Sequence, residues 1–213
     1  KGSVTEQIAY WMGEILISKA DFYIDFHSSG SDSEMPQMCG YLKYNSTSDK
    51  LTCQDMAEAF RAKVTWAHPD FAEGRTLSYA YGHGIPAIYT ECPSTRCVSK
   101  NDLEVYQRGT LNVMKLIGMM QGKLEGSRSK YYLKGNGDTD KCVSATTDGF
   151  FQPDKNLLDL VKKGERLGTI KSLSGELLEK IFSPMQGYVG IRRMLSSAHV
   201  GDSLSMIADK DYS

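Results

Sequence analysis

The stretch ADFYIDFHSSG, Ala20 to Gly30, decides how this chain is read. Phe22, Ile24 and Phe26 fall on one face by period-two alternation, and Tyr23, Asp25 and His27 on the other. This spacing predicts a strand with an apolar core face and a polar face that ends in chemistry. A carboxylate and an imidazole at i and i+2 sit near the strand's carboxyl end, where ligands bind in open α/β sheets. Ser28-Ser29-Gly30 then predicts a turn that brings backbone N–H groups close to His27. The same pattern also fits a core histidine held by a neighbouring aspartate.

Upstream, Ser3-Val4-Thr5-Glu6 has the form of a capping box, and Val4, Ile8, Trp11, Met12 and Ile15 recur at helical spacing toward Lys19. Downstream, residues 31–50 are polar and turn-rich around an apolar patch from Met38 to Tyr44. A second helix is expected from Thr52 to Val64, burying Cys53, Ala57, Phe60 and Val64. A loop with His68-Pro69 and Gly74-Arg75 leads to a short helix through Leu77 to Tyr81. The next strand runs from Ala87 to Glu91 with Ala87, Tyr89 and Glu91 on one face, and Cys92-Pro93 stops it. Ser99 opens a further helix carrying Leu103, Tyr106, Val113 and Ile117. Alternating helices and strands predict a largely parallel α/β layer.

Composition changes after Gly122. Residues 123–137 read as a linker, and 138–213 contain an internal repeat. VKKGERLGTI (Val161 to Ile170) matches AHVGDSLSMI (Ala198 to Ile207) at its Gly, acidic, Leu and Ile positions, and Gly149 corresponds to Gly187. Short strands joined by glycine turns predict a small all-β barrel or sandwich with a lipoyl-like two-fold repeat. A carrier domain needs a lysine at the hairpin tip. That place holds Leu173-Ser174-Gly175, so the domain is expected to be structural or to wall the active site.

The chain has 213 residues and a formal net charge of -1, which gives no electrostatic basis for non-specific nucleic-acid or membrane binding. No apolar run approaches transmembrane length. Five cysteines, an odd number in a chain of this size, predict reduced thiols and a cytoplasmic location.

His27 and Glu91, both at strand carboxyl ends, are the leading functional pair. A neutral imidazole is the commonest metal ligand, and Asp25 is spaced to orient it by accepting its other N–H. A glutamate in a dry pocket can act as general base to a water and then as acid to a leaving amine. Arg75 and His83 are candidates for substrate binding, Arg75 because a guanidinium can hold a carboxylate bidentately. His68 and His199 are expected at the surface. No phosphate loop, GxSxG elbow or HExxH helix is present.

GSVTEQIA before the first helix, ADFYIDFHSSG, the GIPAIYTEC strand and the glycine-repeat barrel, in that order, resemble the succinylglutamate desuccinylase/aspartoacylase family of zinc-carboxypeptidase-like hydrolases. The resemblance implies a carboxypeptidase-like mixed sheet flanked by helices over residues 1–122, followed by the β domain. It also implies a zinc-dependent hydrolase that removes an acyl group from a small N-acyl amino acid or related amide, with homo-oligomers compatible. By this resemblance His27 matches the third zinc ligand and Glu91 the catalytic glutamate. The family's first two ligands come from a His-x-x-Glu motif ahead of the first helix. No histidine here has a glutamate three residues later. The expectation is therefore an N-terminally incomplete catalytic domain. A carboxypeptidase-like peptidase and a non-catalytic binding or assembly module are the alternative readings.

Overall fold

The computed structural model describes residues 2–43, 52–70, 72–93, 96–97, 99–137 and 142–211. Tyr44, at the end of the apolar patch, and residues 138–141, at the start of the β region, lie outside them.

Helix α1, Val4–Trp11, starts at the capping box: the Glu6 N–H donates to Ser3 Oγ and the Ser3 N–H to Glu6 Oε2. It continues as a π-turn and a 3₁₀ turn to Lys19. Its apolar stripe does not become core. Val4, Ile8, Trp11 and Ile15 are exposed, and the buried contacts of this segment come from Gly13 and Ile17.

Strand β1, Tyr23–Phe26, pairs in parallel with β5, Ala87–Glu91. It is the edge strand of its sheet, so Phe26 is exposed rather than core. Strand β2, Ser33–Glu34, and strand β3, Met38–Leu42, follow. Residues 27–37 contain no helix to carry the chain back for a parallel crossover, and β3 runs antiparallel to β5. The layer is therefore mixed.

Helix α2, Cys53–Phe60, is shorter than expected. Arg61 takes the left-handed conformation at φ 57° and ends it, which frees Val64 to open a strand. That strand, β4 (Val64–His68), is fully buried and parallel to β3. Helix α3, Thr76–Gly82, and helix α4, Lys100–Leu116, follow, with Ser99 capping α4 through the Asp102 N–H. Phe60, Met56, Ile88, Val105 and Val113 form the core between α2, α4 and the sheet.

Residues 123–137, read as a linker, carry strand β6, Tyr131–Lys134, which pairs with β4. Strands β7 (Val143–Ser144), β8 (Gly149–Pro153), β9 (Leu160–Val161), β10 (Arg166–Lys171), β11 (Leu177–Phe182), β12 (Gly187–Arg193), β13 (Ser197–Ala198) and β14 (Ser203–Lys210) complete the chain. One sheet runs β1-β5-β3-β4-β6-β14-β12-β2 without a break between the two regions, and a second runs β11-β10-β8-β13. Trp66, Met38 and Leu133 share a core cluster with Ile191, Met206 and Ala208, so the regions pack as well as pair.

The repeat appears in the fold as two copies of one motif, β9–turn–β10 and β13–turn–β14. Gly164 and Gly201 hold φ 77° and 90°, which suits glycine. In each copy the acidic residue after that glycine caps the turn: Lys162 N–H donates to Glu165 and His199 N–H to Asp202, both at 2.9 Å. Leu173, at the turn between β10 and β11, is 91% exposed, and no lysine occupies that tip.

Candidate active site

Parallel pairing of β1 and β5 sets Asp25 opposite Tyr89 and Phe26 opposite Thr90, and His27 N–H continues the ladder to Thr90 O at 2.9 Å. His27 and Glu91 therefore leave adjacent strands at the same edge of the sheet. Both line a cleft of about 330 Å³ together with Asp25, His68, Arg75 and Tyr89.

His27 is tethered at both ends. Its carbonyl accepts from Tyr106 Oη at 2.6 Å, and its Nε2 lies 3.1 Å from Asp25 Oδ2. Asp25 also accepts from Thr76 Oγ1 at the start of α3. The Asp25 bond raises the His27 pKa against the effect of burial. Burial pushes Asp25 up, but bonds from His27 and Thr76 outweigh it and hold the carboxyl below its ordinary value. With Nε2 engaged, Nδ1 is the nitrogen His27 can offer to a ligand.

Glu91 is 8% exposed, and its Oε2 has no hydrogen-bond partner among the described residues. Burial pushes its pKa from 4.5 up to about 7; His27 opposes the shift and Asp25 adds to it. A carboxyl poised there can take and return a proton near neutral pH.

Arg75 is the N-cap residue of α3 and lines the same cleft. His83 is placed elsewhere. It caps the other end of α3, stacked on Tyr79 at 4.4 Å with Nδ1 on the Tyr79 carbonyl, and it does not line the cleft. His199 is exposed, as expected. His68 is not. It is 1% exposed, with Nε2 2.8 Å from Tyr89 Oη and Nδ1 2.8 Å from Gly135 O. Burial lowers its pKa to about 4, so the ring is neutral. His68 closes the buried strand β4, whereas a helix continued through Val64 would leave it in a loop. Tyr89 shares a strand face with Glu91 by simple alternation, and that signal was enough to place its ring in the cleft.

Among the described residues no three His, Cys, Asp or Glu side chains converge to hold a metal ion. A catalytic zinc site normally takes three protein ligands. His27 fits as one of them, but the described residues do not close such a site by themselves.

A second wall comes from the β region. The loop after β1 is pinned to it by Arg193, whose Nη2 lies 2.8 Å from Asp202 and Nη1 3.5 Å from Asp32, and by Arg192, whose Nε and Nη2 both meet Glu34 Oε1. Ser29 Oγ bridges the Cys92 carbonyl and the Met35 N–H inside this loop.

Comparison with known proteins bears on the family and the fold. Residues 1–117 match the model of the succinylglutamate desuccinylase/aspartoacylase catalytic domain. An N-alpha-acetyl-L-2,4-diaminobutyric acid deacetylase of Halomonas elongata is 22% identical over 211 residues, 98% of this chain and 62% of the relative. The product-bound ectoine utilization protein EutE (DoeB) of Ruegeria pomeroyi superimposes with a TM-score of 0.87 at 22% identity, over 98% of this chain and 64% of that one. A succinylglutamate desuccinylase/aspartoacylase of Rhodobacter sphaeroides gives 0.86 at 19% identity, over 100% and 65%. The chain thus spans somewhat under two thirds of the length of these proteins. The matched catalytic-domain model covers more than half of the sequence, and the chain belongs to the succinylglutamate desuccinylase/aspartoacylase family.

Proposed function

We propose that the protein carrying this chain is an amide hydrolase that removes an acyl group from small N-acyl amino acids. The observation that carries the reading is Glu91: buried, without a partner for Oε2 among the described residues, shifted to a pKa of about 7, and beside His27 in a cleft that also holds Arg75. Family membership supports it, as does the relative named for deacetylating N-alpha-acetyl-L-2,4-diaminobutyric acid.

In this reading Arg75 binds the substrate carboxylate and sets the amide beside Glu91. The Glu91 carboxylate accepts a proton as water adds to the amide carbonyl. When the C–N bond breaks, Glu91 returns that proton to the amine nitrogen, releasing the amine and a carboxylic acid. Asp25 holds the His27 ring in place. Zinc belongs to the proposal as a group that His27 would hold with ligands the described residues do not supply, and when bound it offers a Lewis acid to the carbonyl and the water. A cytoplasmic location is also proposed; no helix among the described residues is long and apolar enough to cross a membrane.

The incomplete donor set favours one other reading, a binding module without catalysis. Amino-acid release from N-acetyl amino acids, measured with zinc supplied, separates the two. Glu91→Gln is expected to lower kcat by about 100-fold or more, and Arg75→Ala to raise KM for carboxylate substrates. Undiminished turnover in Glu91→Gln overturns the assignment.

A further inference from the structure

The His27 side chain is 49% exposed, so packing alone does not fix which way its imidazole turns. The ring is held through one carboxylate oxygen, Asp25 Oδ2, 3.1 Å from Nε2. An aspartate carboxyl turns easily about its last torsion, whose wells are broad. Left to itself it would steady the ring poorly. Here the carboxyl is held in its turn. Thr76 Oγ1, from the first residue of α3, donates to the same Oδ2. Tyr23, two residues before Asp25 on the same face of β1, sets its phenol against both the carboxylate and the Thr76 hydroxyl. The Asp25 side chain is 17% exposed, so water competes weakly for these bonds. Thr76 also follows directly on Arg75, the N-cap residue that lines the cleft. Ser78 Oγ lies 2.7 Å from the Arg75 carbonyl oxygen and 3.0 Å from that of Ala72, which braces the first turn of α3 on the loop before it.

We infer that Thr76 is a positioning residue of the reaction: its hydroxyl clamps Asp25, and the clamped carboxylate holds His27 Nε2–H so that Nδ1 stays available to a ligand. The inference rests on the deacylase reading for its effect on turnover, while the clamp is a property of the protein without substrate. A neutral imidazole carries one N–H and one lone pair. With Nε2–H donated to Asp25, the lone pair falls to Nδ1. Removing the Thr76 bond frees the carboxyl to rotate and deprives the ring of a fixed acceptor. Threonine suits the task because its branched stem leaves the hydroxyl few directions to point. The clamp reaches from α3 to the edge strand β1, one residue from the guanidinium read as the substrate-carboxylate binder. A single helical turn thus carries both the group that seats the substrate and the group that steadies the histidine.

Two variants separate the hydroxyl from the shape of the side chain: Thr76→Val keeps the shape, and Thr76→Ser keeps the hydroxyl. The first readout needs no turnover. It is the ring Nε2–H proton of His27 in spectra of 15N-labelled protein, identified by its loss in His27→Gln. Such a proton is seen when a fixed acceptor protects it from exchange with water. Wild type and Thr76→Ser are expected to show it and Thr76→Val to lose it. A signal that persists in Thr76→Val overturns the clamp. The wild-type spectrum is a test in its own right, since a missing signal there means that no fixed acceptor holds the ring. The second readout is hydrolysis of N-acetyl amino acids by the protein carrying this chain, with zinc supplied. Thr76→Val is expected to lower kcat about 10-fold or more at unchanged KM, and Thr76→Ser to restore it. A raised KM at unchanged kcat, or undiminished kcat after the signal is lost, overturns the positioning role. Absence of any hydrolysis by the wild-type protein sinks the deacylase reading instead, and the spectra then decide the clamp alone.

Discussion

The ring of Tyr89 lies across Gly40 on the neighbouring strand β3, where a Cβ would meet Tyr89 Cε1 at 2.0 Å. Only a residue without a side chain allows the ring to cross β3 and put its hydroxyl 2.8 Å from His68 on β4. The resulting bridge spans three strands beneath the cleft, and Gly137 closes on it from above through an N–H to His68 Nδ1 at 3.1 Å. The contacts are with ring atoms of Tyr89, whose hydroxyl is held on His68, so the ring can move aside only by giving up that hydrogen bond.

Gly40→Ala should therefore displace Tyr89 and cost about 1–3 kcal/mol, the usual range for overpacking a tight site. Chemical denaturation measures it. A neutral result would mean that the ring has another place to go.

Glu91 sets a pH dependence with a definite sign. Its folded pKa of about 7 lies above the ordinary 4.5, so the folded state binds the proton more tightly than the unfolded chain. Its contribution to stability is full below about 4.5, declines as pH rises to about 7, and changes no further. The total is on the order of 3 kcal/mol. Glu91→Gln should flatten this part of the stability profile, which denaturation midpoints measured between about pH 4 and about pH 8 would show.

His68 works in the opposite direction. Burial depresses its pKa from 6.5 to about 4, so the unfolded chain takes up a proton that the folded protein refuses. Stability should fall as pH drops from about 6.5 through about 4. His68→Phe should weaken this acid sensitivity. At pH 7 it should still cost about 1–3 kcal/mol, because the Tyr89 hydroxyl loses its buried partner. Parallel pH titrations of both proteins would expose any error in this sign.

Arg193 ties the loop after β1 to the turn before β14. Removing it leaves Asp32 and Asp202 facing each other without their shared cation. Arg193→Ala is expected to destabilise the fold by about 2–4 kcal/mol, discounted from the fully buried case because both carboxylates are partly exposed. Hydrogen exchange should show the loss concentrated in residues 28–35, and a uniform loss across the chain would contradict the tether.

The sequence by itself determined the local features. Alternation in ADFYIDFHSSG and GIPAIYTEC placed His27 and Glu91 at strand ends, because a period of two is enforced by the strand backbone itself. Capping side chains fixed the starts of α1, α2 and α4, since each satisfies N–H groups within three residues. The glycine-acidic repeat announced its own turns for the same reason: every bond involved is local.

Only the tertiary structure decided the rest, because those relationships join residues distant in sequence. Burial of His68 depends on β4 lying between β3 and β6, and β6 comes from a segment whose composition reads as linker. The exposed stripe of α1 depends on what packs against it, which periodicity does not encode. The loop after β1 is tied to the turn before β14 because Arg193, at the end of β12, reaches both Asp32 and Asp202. Eleven residues of sequence set His27 at a strand end beside Asp25. The environment that tunes it and Glu91 is assembled from strands and loops spread over the whole chain, and Coulombic and desolvation effects act through space.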